Sequence, residues 1–262
     1  MKTKLIFIIV ALSFMSCIGD LDITNKSAVS SKSMWKEEGD AKAAMYGLYN
    51  QFRSTFSYGY FTWGEYRTGL WGDGLTGQTS RDQVYQNQIP TNHYFSDWTE
   101  LYTTINDANL IIKKVPIIHF NSENTKNEVL SNAYFVRAFC YYWIGRIWGD
   151  APLLLEGYES DSQEGLYPQR TSAERIFEQI GNDIDKAYKL IPDGIVKNRA
   201  SKASIAMLKA DYDLWMYKVR KSGDNYLQDA NEKIQSVLAN PAYGLENNYA
   251  DIFNDQPNKE VI

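Results

Sequence analysis

The chain has 262 residues, 44% hydrophobic and 14% aromatic, with a formal net charge of −5. That length suits one large or two ordinary domains, and the apolar fraction is enough to build a core, which sets aside a disordered chain. An acid excess with no basic patch or stripe argues against a nucleic-acid binder.

The first residues, MKTKLIFIIVALSFMSC, carry Lys2 and Lys4 ahead of an apolar run from Leu5 to Phe14, then Ser16 and Cys17. Residues 1–16 therefore read as a secretory signal peptide, too short for a mature membrane helix. Phe14 occupies the −3 position, so the usual small–x–small cleavage pattern is absent. A cysteine directly after the apolar run resembles a bacterial lipoprotein site, with Cys17 cleaved to the N-terminus and acylated. Phe14 and Met15 stand where typical sites of that kind have Leu and Ala or Ser, and an ordinary cleaved signal is the alternative. Loss of Lys2 and Lys4 with the leader takes the charge from −5 to −7. Residues 17–32 form a polar, small-residue tether behind Cys17. The chain has 2 cysteines, so acylation of Cys17 leaves Cys140 unpaired, and within an apolar helix Cys140 reads as a small buried hydrophobe.

From about Ser33 to Thr55, Ala41, Ala44, Met45, Leu48, Tyr49 and Phe52 recur at helical spacing, with Gly39 or Asp40 at the start. Residues 56–96 lose that period. Phe56, Tyr58, Tyr60, Phe61, Trp63, Tyr66 and Trp71 alternate with glycines, which predicts a long, aromatic, functional loop rather than one regular element. Helical spacing resumes at Trp98 and stops at Pro116. A polar linker at 121–127 leads into a helix over 128–148. From Ala133 to Trp148 that helix is apolar nearly all round, yet it falls short of the ~20 residues a membrane span needs. Arg137 and Arg146 point to opposite sides at ~100° per residue, so it reads as a central packing helix, covered on most faces. Ala138 and Gly145 mark a face for close approach. Residues 171–191 begin with Thr171 or Ser172 and Glu174, a capping-box arrangement. Two further helices follow from Arg199 and Tyr226, with Ala203, Ala206, Ala210 and Ala230 at the contact positions. Antiparallel helix pairs in this rhythm predict a mainly α fold of tetratricopeptide-like repeats with long irregular loops.

Four stretches together are similar to one family. They are W-x2-LY-x2-I-x2-AN-x-II at 98–112, the helix closing on Gly-Asp-x-Pro-Leu at 133–155, Pro168-x-Arg170 with its following helix, and the helix from Asn198 that opens Arg-Ala-Ser-Lys-Ala-Ser. In that order they resemble the SusD/RagB-type outer-membrane nutrient-binding lipoproteins. The resemblance implies three segments: the signal at 1–16, the lipidated tether at 17–32, and a SusD-like helical domain at 33–262. That domain is expected to be incomplete at its C-terminus, since family members run to about twice this length. It also implies a surface-exposed protein held in the outer membrane by a lipid anchor. Such a protein binds an oligosaccharide or other nutrient and delivers it to a SusC-like TonB-dependent β-barrel transporter.

Enzyme signatures are absent from the sequence. His93 and His119 lie in no metal-ligand spacing, and neither a nucleophile elbow nor a phosphate loop is present. No cofactor and no metal is expected. Glu65 and Asp73 are the carboxylates that a surface glycoside hydrolase would use, although fixing the loop is the plainer role for them. A sugar offers apolar C–H faces and a hydroxyl rim, so its site needs flat aromatics beside polar side chains. Residues 56–98 hold Trp63, Tyr66, Trp71 and Trp98 with Asp73, Arg81 and Asn87. Of these Trp71, Asp73 and Arg81 are the candidate ligand contacts, while Trp98 reads as a packing residue. A tetratricopeptide-type protein-binding scaffold is the alternative function.

Overall fold

The longest departure from sequence-based expectation lies in the aromatic segment. In the computed structural model, which describes residues 34–70, 79–253 and 258–260, helix α1 runs unbroken over Glu38–Trp63. It continues well past Thr55, so the first part of the expected loop is helical. Phe52, Phe56, Tyr60 and Trp63 fall at three- and four-residue steps and share one face. Phe56 packs 5.0 Å from Phe139, Tyr60 5.9 Å from Trp143, and Trp63 5.8 Å from Trp148. These rings thus serve helix packing: Phe56 and Trp63 are half-buried against α4 and the Trp148 that follows it, while Tyr60 stays exposed. Gly59 permits it: a Cβ there would sit 2.5 Å from the Trp63 ring. At the N-terminus the Asp40 carboxylate accepts from the backbone N–H groups of Lys36 and Glu37.

After a 3-10 turn at Glu65–Arg67 come the short helix α2 (Thr79–Tyr85) and then α3 (Thr99–Lys114). Pro116 falls in a 3-10 turn, Val115–Ile117, that follows α3. Helix α4 spans Glu123–Ile147, starting five residues earlier than expected because Ser122 accepts a hydrogen bond from the Thr125 N–H and caps it. It packs against α1, α3 and α5 (Ala173–Leu190), which is why Val129, Ala133, Val136, Cys140, Tyr141 and Ile144 are all buried. The close approach at Gly145 is made by the Phe177 ring, 3.1 Å from where a Cβ would stand. The expected capping box at α5 does not form. Ser172 makes no side-chain cap, and the Asp150 carboxylate accepts the Ala173 N–H at 2.7 Å instead. Beside it, Ala151–Pro152 (β1) pairs antiparallel with Arg170–Thr171 (β2).

Helices α6 (Lys202–Lys218) and α7 (Asp224–Leu238) form a hairpin, with Ser201 and Ser204 exchanging backbone and side-chain bonds at the start of α6. Ala203, Ala206, Ala210 and Ala230 are all buried, as expected for small residues between close helices. The fold is mainly α, of tetratricopeptide-like repeats with irregular connections. Trp35–Ile262 forms one unit, and no helix among the described residues is long and apolar enough to cross a membrane. Residues 1–16, the tether with Cys17, and both Trp71 and Asp73 lie outside the described residues.

The two arginines of α4 have different fates. Arg146 lies over the Trp215 and Tyr142 rings, at 4.6 and 4.9 Å, with Asp211 3.7 Å away. Arg137 is buried; its Nε and Nη2 donate to the two Asp183 oxygens at 2.7 Å each, and its Nη1 donates to Asn109 Oδ1 at 2.7 Å. Gln179 donates to the same carboxylate. Removing one partner of such a pair strands a buried charge, so Arg137→Ala should lower the unfolding free energy by ~3–5 kcal/mol. Urea denaturation checks this, and a loss below ~1 kcal/mol, the range of exposed pairs, would overturn it. Cys140 is fully buried and unpaired, and burial pushes its thiol up. A thiol reagent should therefore label it only when the chain unfolds, and labelling of the native protein would contradict the packing.

Candidate functional site

The loop that follows α1 has its own fixed points. Arg67 Nε donates to Asn87 Oδ1 at 2.9 Å. His93 is buried, its Nε2 2.8 Å from the Ser80 carbonyl while its Nδ1 accepts from the Phe95 N–H, so the ring holds its proton on Nε2. Trp63 Nε1 donates to the Phe95 carbonyl. Arg81 is exposed on α2. Tyr66 and the half-buried Glu65 sit in the 3-10 turn. Among the described residues no group of His, Cys, Asp and Glu could hold a metal ion.

Trp98, immediately before α3, joins the loop to the rest. Its ring is 5.7 Å from Trp148 and 5.6 Å from Tyr102, and the Arg170 guanidinium lies 4.9 Å above it. Arg170 is held there by donating to the Asp150 carbonyl. Trp98 is therefore largely a packing residue, as its place at the head of a repeat helix suggests.

On the far side of Trp98, one stripe of α3 binds an extended strap, residues 152–158. Tyr102, Asn106, Asn109 and Lys113 recur at steps of three and four and all reach strap backbone. The Tyr102 hydroxyl donates to Pro152 O at 2.7 Å, and Asn109 Nδ2 donates to Leu154 O and Glu156 O. Asn106 pairs with both the N–H and the C=O of Tyr158, and Lys113 reaches Gly157 O. From α4, the Tyr141 hydroxyl both accepts from the Leu154 N–H and donates to its carbonyl. Burial pushes the Tyr102 and Tyr141 hydroxyls above the ordinary tyrosine range, so both stay protonated donors. The strap lies so close to α3 at Gly157 that a Cβ would be 2.8 Å from the Leu110 nitrogen.

Between α3 and the chain from Pro152 to Pro168 opens a cleft of about 690 Å³. Its walls are Trp98, Tyr102 and Asn106 on one side and Leu154, Tyr158, Leu166 and Tyr167 on the other, with Glu159, Ser160 and Asp161 at the rim. Lys114 pairs with Glu159 at 2.8 Å, and Tyr158 donates to Gly165 O. Tyr167 is 84% exposed, a ring with no packing duty. The arrangement can hold a ligand with apolar faces and a hydroxyl edge, and its size falls within the range of small-ligand sites. Sequence reasoning passed over this cleft. The signal was present in the polar stripe of α3 and in two tyrosines flanking a run of Ser, Asp, Glu and Gln.

A family model described as SusD-like_3, starch-binding associating with outer membrane, matches residues 28–210. SusD-like protein P38 of Formosa agariphila is 28% identical over 249 residues, covering 93% of this chain and 47% of its own length. Among solved structures, B. fragilis NanU superposes with a TM-score of 0.80 at 26% identity, over 91% of this chain and 49% of that one. A SusD superfamily protein from Bacteroides vulgatus gives 0.77 at 27%, over 87% and 48%. The chain spans about half the length of the curated relatives it matches.

Because Asn106 alone ties both backbone groups of Tyr158, Asn106→Ala should free that end of the strap. Two bonds at a net ~0.5–1.5 kcal/mol each predict roughly 5- to 150-fold faster amide exchange at Tyr158, with exchange in the α6–α7 hairpin unchanged. Equal exchange in both proteins would show that the asparagine does not hold the strap.

Proposed function

The chain belongs to the SusD-like family, and from that membership we propose that it is a lipid-anchored saccharide-binding protein of the outer membrane. In this reading it captures an oligosaccharide and passes it to a SusC-like TonB-dependent β-barrel transporter. The family's description supplies the starch-binding and outer-membrane context. The observation that carries the reading on this chain is the cleft beside α3, where aromatic faces stand next to amide, hydroxyl and carboxylate groups. A pyranose stacks its C–H face on such rings while its hydroxyls bond to the rim. The protein acts by binding, without turnover.

Trp71, Asp73 and Arg81 complete the proposal as ligand contacts from the loop between α1 and α3. Cys17 is the site of acylation. A lipid on Cys17 with a polar tether behind it lets the folded part reach a neighbouring barrel in the same membrane.

Isothermal titration with defined oligosaccharides (α-glucan, β-glucan and xylan series) tests the binding reading. Tyr167→Ala should weaken the best ligand about 10-fold, ~1.4 kcal/mol. Trp71→Ala, Asp73→Ala and Arg81→Ala report separately on the loop. Affinity that falls in the loop variants alone removes the cleft from the site. Binding of peptides and of no saccharide would support a protein-binding scaffold instead, and shortening of the oligosaccharide on incubation would support a hydrolase. Cys17→Ala should move the protein from the membrane fraction to the soluble one, and unchanged membrane retention would contradict the anchor.

A further inference from the structure

The cleft beside α3 offers its hydrogen-bonding groups unevenly. Among the described residues no lysine, arginine or histidine lines it, and its charged lining residues, Glu159 and Asp161, are both acids. The cations on the neighbouring elements are already engaged. Lys114 pairs with Glu159 Oε2 at 2.8 Å, and Lys113 reaches Gly157 O and lies 3.7 Å from Glu156. Arg170 donates to the Asp150 carbonyl while it covers Trp98. Asp161 is exposed, and its carboxylate enters no ion pair among the described residues.

The side-chain donors in the cleft are neutral, and most already have an acceptor. Tyr102, Asn106, Asn109 and Tyr158 each donate to a backbone carbonyl. The Thr99 and Thr103 hydroxyls donate to Asp97 Oδ1 and Thr99 O. Both Asp161 oxygens and Glu159 Oε1 are left to accept. A sugar hydroxyl satisfies such an oxygen, because it carries a proton to donate. A uronate carboxylate or a sulfate has no proton to give. It needs donors, above all charged ones, and meets like charge here instead. An anion taken out of water without a partner is penalised, and facing like charges lower the affinity for that ligand.

We infer that the cleft selects neutral oligosaccharides and refuses acidic ones, both uronates and sulfated glycans, and that Asp161 and Glu159 set this selectivity. Asp161 contributes more, because Lys114 neutralises Glu159. Arg81, the cation among the loop candidates, does not line the cleft, so it supplies no counter-charge there. The inference rests on the saccharide reading of the cleft and narrows it to one class of ligand.

Isothermal titration of the full chain tests it, with cellotetraose, maltotetraose and xylotetraose set against tetragalacturonate and a sulfated heparin tetrasaccharide. The best neutral probe should bind about 10-fold or more tightly than either acidic one. Asp161→Lys should narrow that gap about 5-fold or more, with an unchanged thermal midpoint because the carboxylate it replaces is exposed and unpaired. Asp193→Lys makes the same charge change at an exposed site beyond the C-terminal end of α5, and should leave the gap as it is. Added salt should narrow the gap, since exposed charges are screened beyond about 10 Å at ~0.1 M. Acidic probes that bind as tightly as neutral ones, or a gap that Asp161→Lys leaves intact, overturn the inference while the saccharide reading stands. Equal narrowing by Asp193→Lys also overturns it, in favour of net charge. Binding of no tetrasaccharide at all removes the saccharide reading, and this inference with it.

Discussion

A single guanidinium sits where α3, α4 and α5 meet, and the rest of the architecture is arranged around its needs. Arg137 can be buried only because Asp183 takes two of its donors and Asn109 a third. Desolvating such a pair costs several kcal/mol per ion, and good geometry with further hydrogen bonds is what offsets it. A shift of one helix past another by a single residue would leave both charges unmatched in an apolar interior. The pair therefore contributes more to register than to net stability. Asn109 extends the constraint outward, since its amide nitrogen holds Leu154 O and Glu156 O. The centre of the core and the wall of the cleft are two bonds apart.

Several elements were legible in the sequence because they depend on local chemistry. Alanine at the contact positions of α6 and α7 and Pro116 after the end of α3 each act within a turn or two of their own helix. What escaped depends on distant partners. Phe56, Tyr60 and Trp63 look like a recognition surface in isolation, and only Phe139, Trp143 and Trp148, some 80 residues on, turn them to helix packing, with Tyr60 still exposed. The sequence points to Thr171 or Ser172 with Glu174 as the cap of α5, whereas Asp150 reaches it from across the β1–β2 pair. Of the candidate contacts, Arg81 lies exposed on a short helix; Trp98, expected to pack, packs on Trp148 and Tyr102 under Arg170 while also lining the cleft. The cleft was hidden for a related reason: its second wall is a strap with no period, shaped wholly by the helix beneath it.

The aromatic content of the chain thus divides into two uses. One set of rings, from Phe52 through Trp148 to Trp98, joins helices in edge-to-face and tilted pairs, with Tyr60 the exposed member. The other set is small and consists of rings with a free face or hydroxyl, Tyr167 chief among them. Counting aromatics could not separate these sets, because a tryptophan in a helix interface and one on a platform are the same residue type. Burial and neighbours decide which use each ring serves.

The strap bears on how such a protein can diversify. Nearly every bond that holds residues 152–158 runs from a side chain of α3 or α4 to the strap's backbone. The scaffold thus grips mainly peptide groups, which every residue type provides, with fewer ties to the strap's own side chains: Leu153 on the core, Glu156 beside Lys113, Tyr158 on Gly165 O, and the close approach at Gly157. A residue such as the exposed Leu155 can be exchanged without loosening the grip. The cleft is in effect a cassette: its lining can be rewritten by drift or by design while its frame stays in place.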